Sequence, residues 1–149
     1  MNAVPTVFVI DDDQAVRDAI SLLLRADGLA VATFASATVF LESTSVQQPG
    51  CLVLDVRMPG MSGLDLQKQL RARGSRIPIL FMTGHGDVPM AIRAMKAGAF
   101  DFLEKPFQGE LLLERVREAL VLDVRQRVRQ ERRAEAAARL ALLSPREWE

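Results

Sequence analysis

Five short apolar runs punctuate the first 104 residues: TVFVI (6–10), LAVATF (29–34), CLVLDV (51–56), IPILFM (77–82) and DFLE (101–104). The first, third and fourth show little alternation of polar and apolar positions. Strands buried on both faces read this way, as in a parallel sheet covered by helices. Between the runs, over 14–27, 36–43, 62–73, 88–97 and 109–122, apolar residues recur every three or four positions. That spacing predicts amphipathic helices. Gly28, Gly74 and Gly98 sit just past three of them, where a helix closes on a left-handed residue. Ser62 follows the turn Met58-Pro59-Gly60-Met61 and is placed to cap the third helix. Five βα repeats in about 120 residues predict an α/β fold, a doubly wound parallel sheet of five strands with right-handed crossovers.

Beyond residue 122 the pattern changes. Leu113, Val116, Leu120, Val124 and Val128 keep the three-to-four spacing, and neither Gly nor Pro occurs from Glu110 to Leu143. Good helix formers fill that stretch, which predicts one helix over 108–142. The apolar stripe fails at Glu131 and Arg132, so a long coiled coil is not expected. Ser144-Pro145-Arg146-Glu147 then reads as a capping box with proline at the first helical position, the start of a new helix. Charge divides the chain at the same place. Residues 1–122 carry 12 basic and 14 acidic side chains, and residues 123–149 carry 7 and 5. The expected organisation is a domain over 1–122, a helical linker over 123–142 and the opening of a further unit over 143–149.

Composition narrows the function classes. Apolar residues form 49% of the 149, enough for a core rather than a disordered chain. A formal net charge of zero argues against nucleic-acid binding by bulk charge. A single cysteine, Cys51, and a single histidine, His85, exclude a disulfide framework and clustered zinc ligands. Cys51 opens an apolar strand and reads as an inert buried thiol. No basic stretch precedes the first apolar run, and no run approaches the ~18 residues of a membrane span. Neither a secretory leader nor a membrane partner is expected, and a cytoplasmic location is.

In a doubly wound sheet, ligands bind beyond the carboxyl ends of the strands. Asp11-Asp12-Asp13, Asp55, Thr83 and Lys105-Pro106 stand at four of those ends. Carboxylates from two strand ends repel one another, and a divalent cation relieves the conflict. Oxygen ligands without His or Cys point to Mg²⁺ or, failing that, Mn²⁺. A lysine and a hydroxyl from two further strands can hold phosphoryl oxygens. Asp55, ionised at neutral pH, needs no general base to act as a nucleophile.

The motifs VIDDD, LDVRMPGMSG, MTGHGD and EKPF, in that order, resemble the receiver domain of two-component response regulators over residues ~5–122. The likeness is strongest to the FixJ-like branch, whose output is a LuxR-type helix-turn-helix domain. The terminal LSPREWE is similar to the opening of that output domain, truncated here. The resemblance implies a flavodoxin-like strand order of 2-1-3-4-5 and a sensor histidine kinase as the phosphoryl donor. Asp55 is then the phosphoacceptor. Mg²⁺ would be held by Asp12 directly, by Asp11 often through water, by Asp55, and by the backbone carbonyl of Arg57. Lys105 would pair with the phosphoryl oxygens, and Thr83 would bond to one of them after transfer. Phe102 would turn inward as Thr83 moves. Arg57 and His85, each two residues past a site residue, would flank the phosphoryl group and set its lifetime. Asp13 is left as a helix-start acid. Lys105-Pro106 would take the cis bond common in receivers.

The resemblance further implies a phosphorylation-dependent homodimer through the fourth helix and fifth strand, with Ile92, Lys96 and Asp101 on the shared face. Lys96 and Asp101 would pair across the two-fold, while Met95 is expected to pack on the sheet. Output would be DNA binding by the missing C-terminal domain. Two other classes stay open. One is a stand-alone receiver working in a phosphorelay or on a protein partner. The other is an Asp-nucleophile phosphatase, which typically has an acid two residues after the nucleophile, where this chain has Arg57. A turnover enzyme is therefore not expected.

Overall fold

The computed structural model describes residues 4–44, 47–84 and 86–147, with side chains described as far as residue 142. Strands and helices alternate: β1 (Thr6–Ile10), α1 (Gln14–Ala26), β2 (Ala30–Phe34), α2 (Ala37–Ser43), β3 (Gly50–Asp55), α3 (Gly63–Ala72), β4 (Ile79–Thr83), α4 (Val88–Lys96), β5 (Asp101–Glu104) and α5 (Gly109–Glu147). The strands form one sheet in the order β2-β1-β3-β4-β5, and every pairing is parallel. The α/β class and the order 2-1-3-4-5 are as expected. Strand limits move by one or two residues from the apolar runs. The largest change is at β4, where Pro78 offers its carbonyl to Leu52 but has no N–H for the ladder.

Successive strand residues point to opposite faces, which splits the core in two. Val7, Val9, Val53, Leu80 and Met82 pack with Ile20 and Leu24 of α1 and Leu112, Val116 and Ala119 of α5. Phe8, Ile10, Leu52, Leu54 and Phe81 pack with Phe40 of α2, Leu66 and Leu70 of α3 and Ala94 of α4. This two-sided cover explains why β1, β3 and β4 read as unbroken apolar runs. Each buried Val, Leu, Ile or Phe contributes roughly 1.5–3 kcal/mol of transfer free energy.

Local signals set the helix starts. Asp13 caps α1 by accepting the Ala15 N–H at 2.9 Å. Ser62 and Asp65 form a reciprocal capping box at α3. Gly28, Gly74 and Gly98 adopt positive φ after α1, α3 and α4, as expected.

The linker differs from expectation in three respects. The buried line of α5 is Leu112, Val116, Ala119 and Asp123, while Val124 and Val128 are exposed. The apolar triplet Leu111–Leu113 supports either of two adjacent stripes, and small Ala119 lets the helix lie close to the sheet. Residue 122 is also not a packing boundary. Asp123 is buried at 3% exposure, and its Oδ2 accepts from Gly50 N and from Arg127 Nε, both at 2.9 Å. Arg127 in turn donates to the carbonyls of Gln47 at 2.9 Å and Gln48 at 2.8 Å. Lastly, no new helix begins at Ser144, since α5 runs on to Glu147. Starting afresh would leave four N–H groups without helical partners, whereas Pro145 removes only one donor, in the last turn.

Candidate functional site

Strand order reverses between β1 and β3, and the acidic residues meet at that edge. Asp11 ends β1 completely buried. Its N–H is held by the Phe34 carbonyl at 3.2 Å and its carbonyl by Arg17 Nη1 at 2.7 Å. Its Oδ1 accepts the Asp13 N–H at 2.9 Å, which leaves Oδ2 facing the site. Asp55 ends β3 at 8% exposure, and its Oδ1 accepts the Arg57 N–H at 3.1 Å. The loop beyond it folds back through the bond from Gly63 N to Val56 O, 3.1 Å. Gly63 is required there, because a Cβ would lie 2.4 Å from the Asp55 carbonyl oxygen.

Lys105 arrives from the end of β5. Its N–H bonds to the Thr83 carbonyl at 2.7 Å, and the peptide to Pro106 is cis. Its Nζ lies 3.0 Å from Asp11 Oδ2 and 3.4 Å from Asp55 Oδ2, so one ammonium bridges both buried carboxylates. Burial raises the Asp55 pKa above its ordinary value. The nearby Asp11 charge adds to this, and the Arg57 N–H and Lys105 oppose it. Burial works against the Lys105 ammonium, yet its hydrogen bond to Asp11 and the two carboxylate charges outweigh that and lift its pKa.

Asp11, exposed Asp12 and Asp55 each offer an oxygen within 4.8 Å of the others. Three carboxylate oxygens so close, with Asp55 already disfavoured as an anion, fit a hard divalent cation. Thr83 is buried at the end of β4, and its hydroxyl donates to the Leu103 carbonyl at 3.4 Å. Phe102 is half-buried against the core shared by α2, α3 and α4.

The Arg57 side chain leaves the acidic group. Its Nε pairs with Asp87 Oδ1 at 2.6 Å. Asp87 is buried and also accepts the Gly84 N–H at 3.3 Å, although it stands at the start of α4 without capping it. Sequence reasoning missed Asp87 and Arg17. An acid before Val88-Pro89 signals an ordinary N-cap, and nothing local announces a partner 30 residues away. His85 lies outside the described residues.

On the expected dimer face, Ile92 and Lys96 are exposed. Met95 is exposed too, contrary to expectation, because α4 buries Ala91 and Ala94 against the sheet instead. Asp101 is already engaged within the chain, by Arg115 Nε at 3.0 Å.

Residues 7–117 match the response regulator receiver domain family. The chain belongs to that family. This receiver is 51% identical over 141 residues to the response regulator protein TodT of Pseudomonas putida, covering 95% of the chain and 62% of TodT. It is 50% identical to the transcriptional regulatory protein FixJ of Azorhizobium caulinodans, covering 95% of the chain and 67% of that FixJ. Among solved structures, the response regulator StyR matches with a TM-score of 0.85 and 52% identity, covering 89% of this chain and 67% of StyR. Full-length FixJ from B. japonicum matches with a TM-score of 0.76 and 44% identity, covering 92% of this chain and 68% of that one. The receiver thus spans about three fifths of the length of TodT. Receivers are signalling modules, and the acidic group at its sheet edge has the ligand chemistry for Mg²⁺. No helix among the described residues is long and apolar enough to cross a membrane.

Proposed function

We propose that this receiver takes a phosphoryl group onto Asp55 from the phosphohistidine of a sensor histidine kinase and thereby controls transcription. The observation that carries the reading is the position of the Lys105 ammonium, 3.0 Å from Asp11 and 3.4 Å from Asp55 at the sheet edge. An Asp55 oxygen attacks phosphorus, the bond from phosphorus to the histidine nitrogen breaks, and the imidazole leaves. Lys105 meets the negative charge of the transferred group, and the buried edge keeps bulk water from screening it. Asp11, Asp12, Asp55 and the Arg57 carbonyl would hold Mg²⁺, which supplies further neutralisation of the phosphoryl oxygens. Thr83 then exchanges its bond to Leu103 for one to a phosphoryl oxygen, and Phe102 moves into the space released. Arg57, once released from Asp87, and His85 would limit the approach of water to the acyl phosphate.

The receiver would extend through Arg127, the last residue of α5 bonded to its body, and the exposed part of α5 beyond it would lead to a LuxR-type DNA-binding unit. Support for that output comes from the relatives, since FixJ is a transcriptional regulatory protein and the receiver spans only part of its length. A homodimer through α4 and β5 would bring two DNA-binding units to a two-fold site.

The test is incubation with a small acyl phosphate and Mg²⁺, followed by intact mass measurement. One phosphoryl group per chain is expected, and none on Asp55→Asn. Undiminished labelling of that variant would sink the assignment. Asp12→Ala should need much more Mg²⁺ for the same labelling.

A further inference from the structure

At the end of the sheet away from Asp55, three exposed arginines from two parts of the chain line one hollow. Arg76 precedes β4, while Arg129 and Arg133 stand one turn apart on α5, just past the contact between Asp123 and Arg127. With Gln126 and Gln130 they surround a hollow of about 210 Å³. A second hollow, of about 390 Å³, shares Arg76 and Gln126 and is walled by Ser75 and Gly98. No carboxylate pairs with Arg76, Arg129 or Arg133 among the described residues. Asp123 lines the crevice between the hollows, but the Gly50 N–H and Arg127 already occupy it.

Arg71 adds positive charge from behind while its own Nη1 stays on the Ser75 and Ile77 carbonyls, each at 3.1 Å. Burial, then the Arg76 charge, lower its pKa, as expected where cations crowd without an anion. A second observation is independent of charge. Gln126 Oε1 is buried and has no hydrogen-bond partner. A buried acceptor is costly to leave unpaired, and a turn of the Gln126 side chain toward the hollow it lines would offer that oxygen to a ligand hydroxyl.

We infer that this hollow binds a small phosphate-bearing anion, with its charged oxygens on Arg76, Arg129 and Arg133 and a hydroxyl of the same molecule on Gln126 Oε1. Guanidinium forks suit phosphate oxygens. The partly enclosed shape and the buried acceptor favour a discrete ligand with both groups, as in a nucleotide, over the backbone of a nucleic acid. Binding would tie the outer part of α5 to the receiver body where the arm departs. Nothing in this inference depends on the reading of the Asp55 site.

The test is a titration of the 149-residue chain, without Mg²⁺ and at constant ionic strength, with pyrophosphate and with ADP, followed by amide NMR. Saturable shifts are expected at Ser75, Arg76, Gly98, Gln126 and Arg129, with ADP binding tighter because it also carries hydroxyls. The double substitution Arg76→Ala with Arg129→Ala should weaken binding at least about tenfold, given two lost charge-assisted contacts. Both side chains are exposed, so an unchanged urea midpoint is expected and checks the fold. Shifts that never saturate, that survive the double substitution or that gather around Asp55 would overturn the site. Saturation by a short DNA duplex with neither small anion binding would overturn it too, and would give the surface to nucleic acid. Equal affinity for pyrophosphate and ADP would overturn the Gln126 contact.

Discussion

Asp55 owes its surroundings to two residues with little chemistry of their own. Gly63 lets α3 begin against the Asp55 carbonyl, with the Phe81 ring 3.1 Å from where a Cβ would stand. The oxygen there belongs to backbone and cannot move aside cheaply. Gly63→Ala is therefore expected to cost roughly 1–3 kcal/mol in urea unfolding and to slow acyl-phosphate labelling. Normal labelling in a destabilised variant would mean that the loop after Asp55 is not set by this contact. Cys51 shows the opposite relation between residue and environment. It is fully buried at the start of β3, and burial, with the Asp123 charge behind it, pushes its thiol pKa up. An aromatic disulfide reagent at pH 8 should leave it untouched in the native protein and react once the chain is unfolded in urea. Reaction at the native-state rate of a free thiol would show that the strand opens locally.

Among the elements, α5 is two helices in energetic terms. Up to Arg127 it is held by Leu112, Val116, Ala119 and the bonds of Asp123 and Arg127 to residues 47–50. From Val128 to Leu142 every residue is exposed, and only local propensity and weak pairs such as Glu135 with Arg139, 3.7 Å apart, support it. Amide exchange should be slow through residue 127 and fast beyond about Val128. Removing the Asp123 carboxylate leaves the Gly50 N–H without its acceptor and Arg127 without its anion. Asp123→Ala should accordingly cost on the order of 3 kcal/mol in urea unfolding and move the onset of fast exchange back toward Leu120. A loss within error would mean that the apolar line alone seats the helix. The charge change at residue 123, which suggested a seam, marks the last buried carboxylate of the receiver.

For the whole molecule, the question is how Asp55 reaches α4 and β5. Two bonds already span the gap. Arg57, two residues from Asp55, holds Asp87 at the head of α4, and Thr83 holds the Leu103 carbonyl on β5. Both must rearrange if phosphorylation is to alter the exposed face carrying Ile92 and Lys96. Thr83→Ala should therefore leave labelling at Asp55 largely intact while weakening the dimer proposed to form on phosphorylation, read by sedimentation velocity. Full dimerisation of that variant would exclude the route through Thr83 and Phe102. The bond between Asp101 and Arg115 competes with any pairing of Asp101 and Lys96 across a two-fold, so that pairing needs Asp101 to change partner.

The alternation of strands and helices, the parallel sheet and the four strand ends bearing Asp11, Asp55, Thr83 and Lys105 were legible from the sequence alone. Each rests on a local signal, whether a run buried on both faces, a three-to-four spacing or a cap such as Asp13 or Ser62. Tertiary structure decided the rest. It chose Leu112 over Leu113 for the buried line of α5, turned Met95 outward, paired Arg57 with Asp87 and seated Asp123 under Gly50. It also carried α5 past the capping signal at Ser144. These outcomes join residues 30 and 73 positions apart, or balance one helix against a whole sheet face. Short-range periodicity constrains which residues an element can bury, but only packing against the other elements selects among near-equal choices.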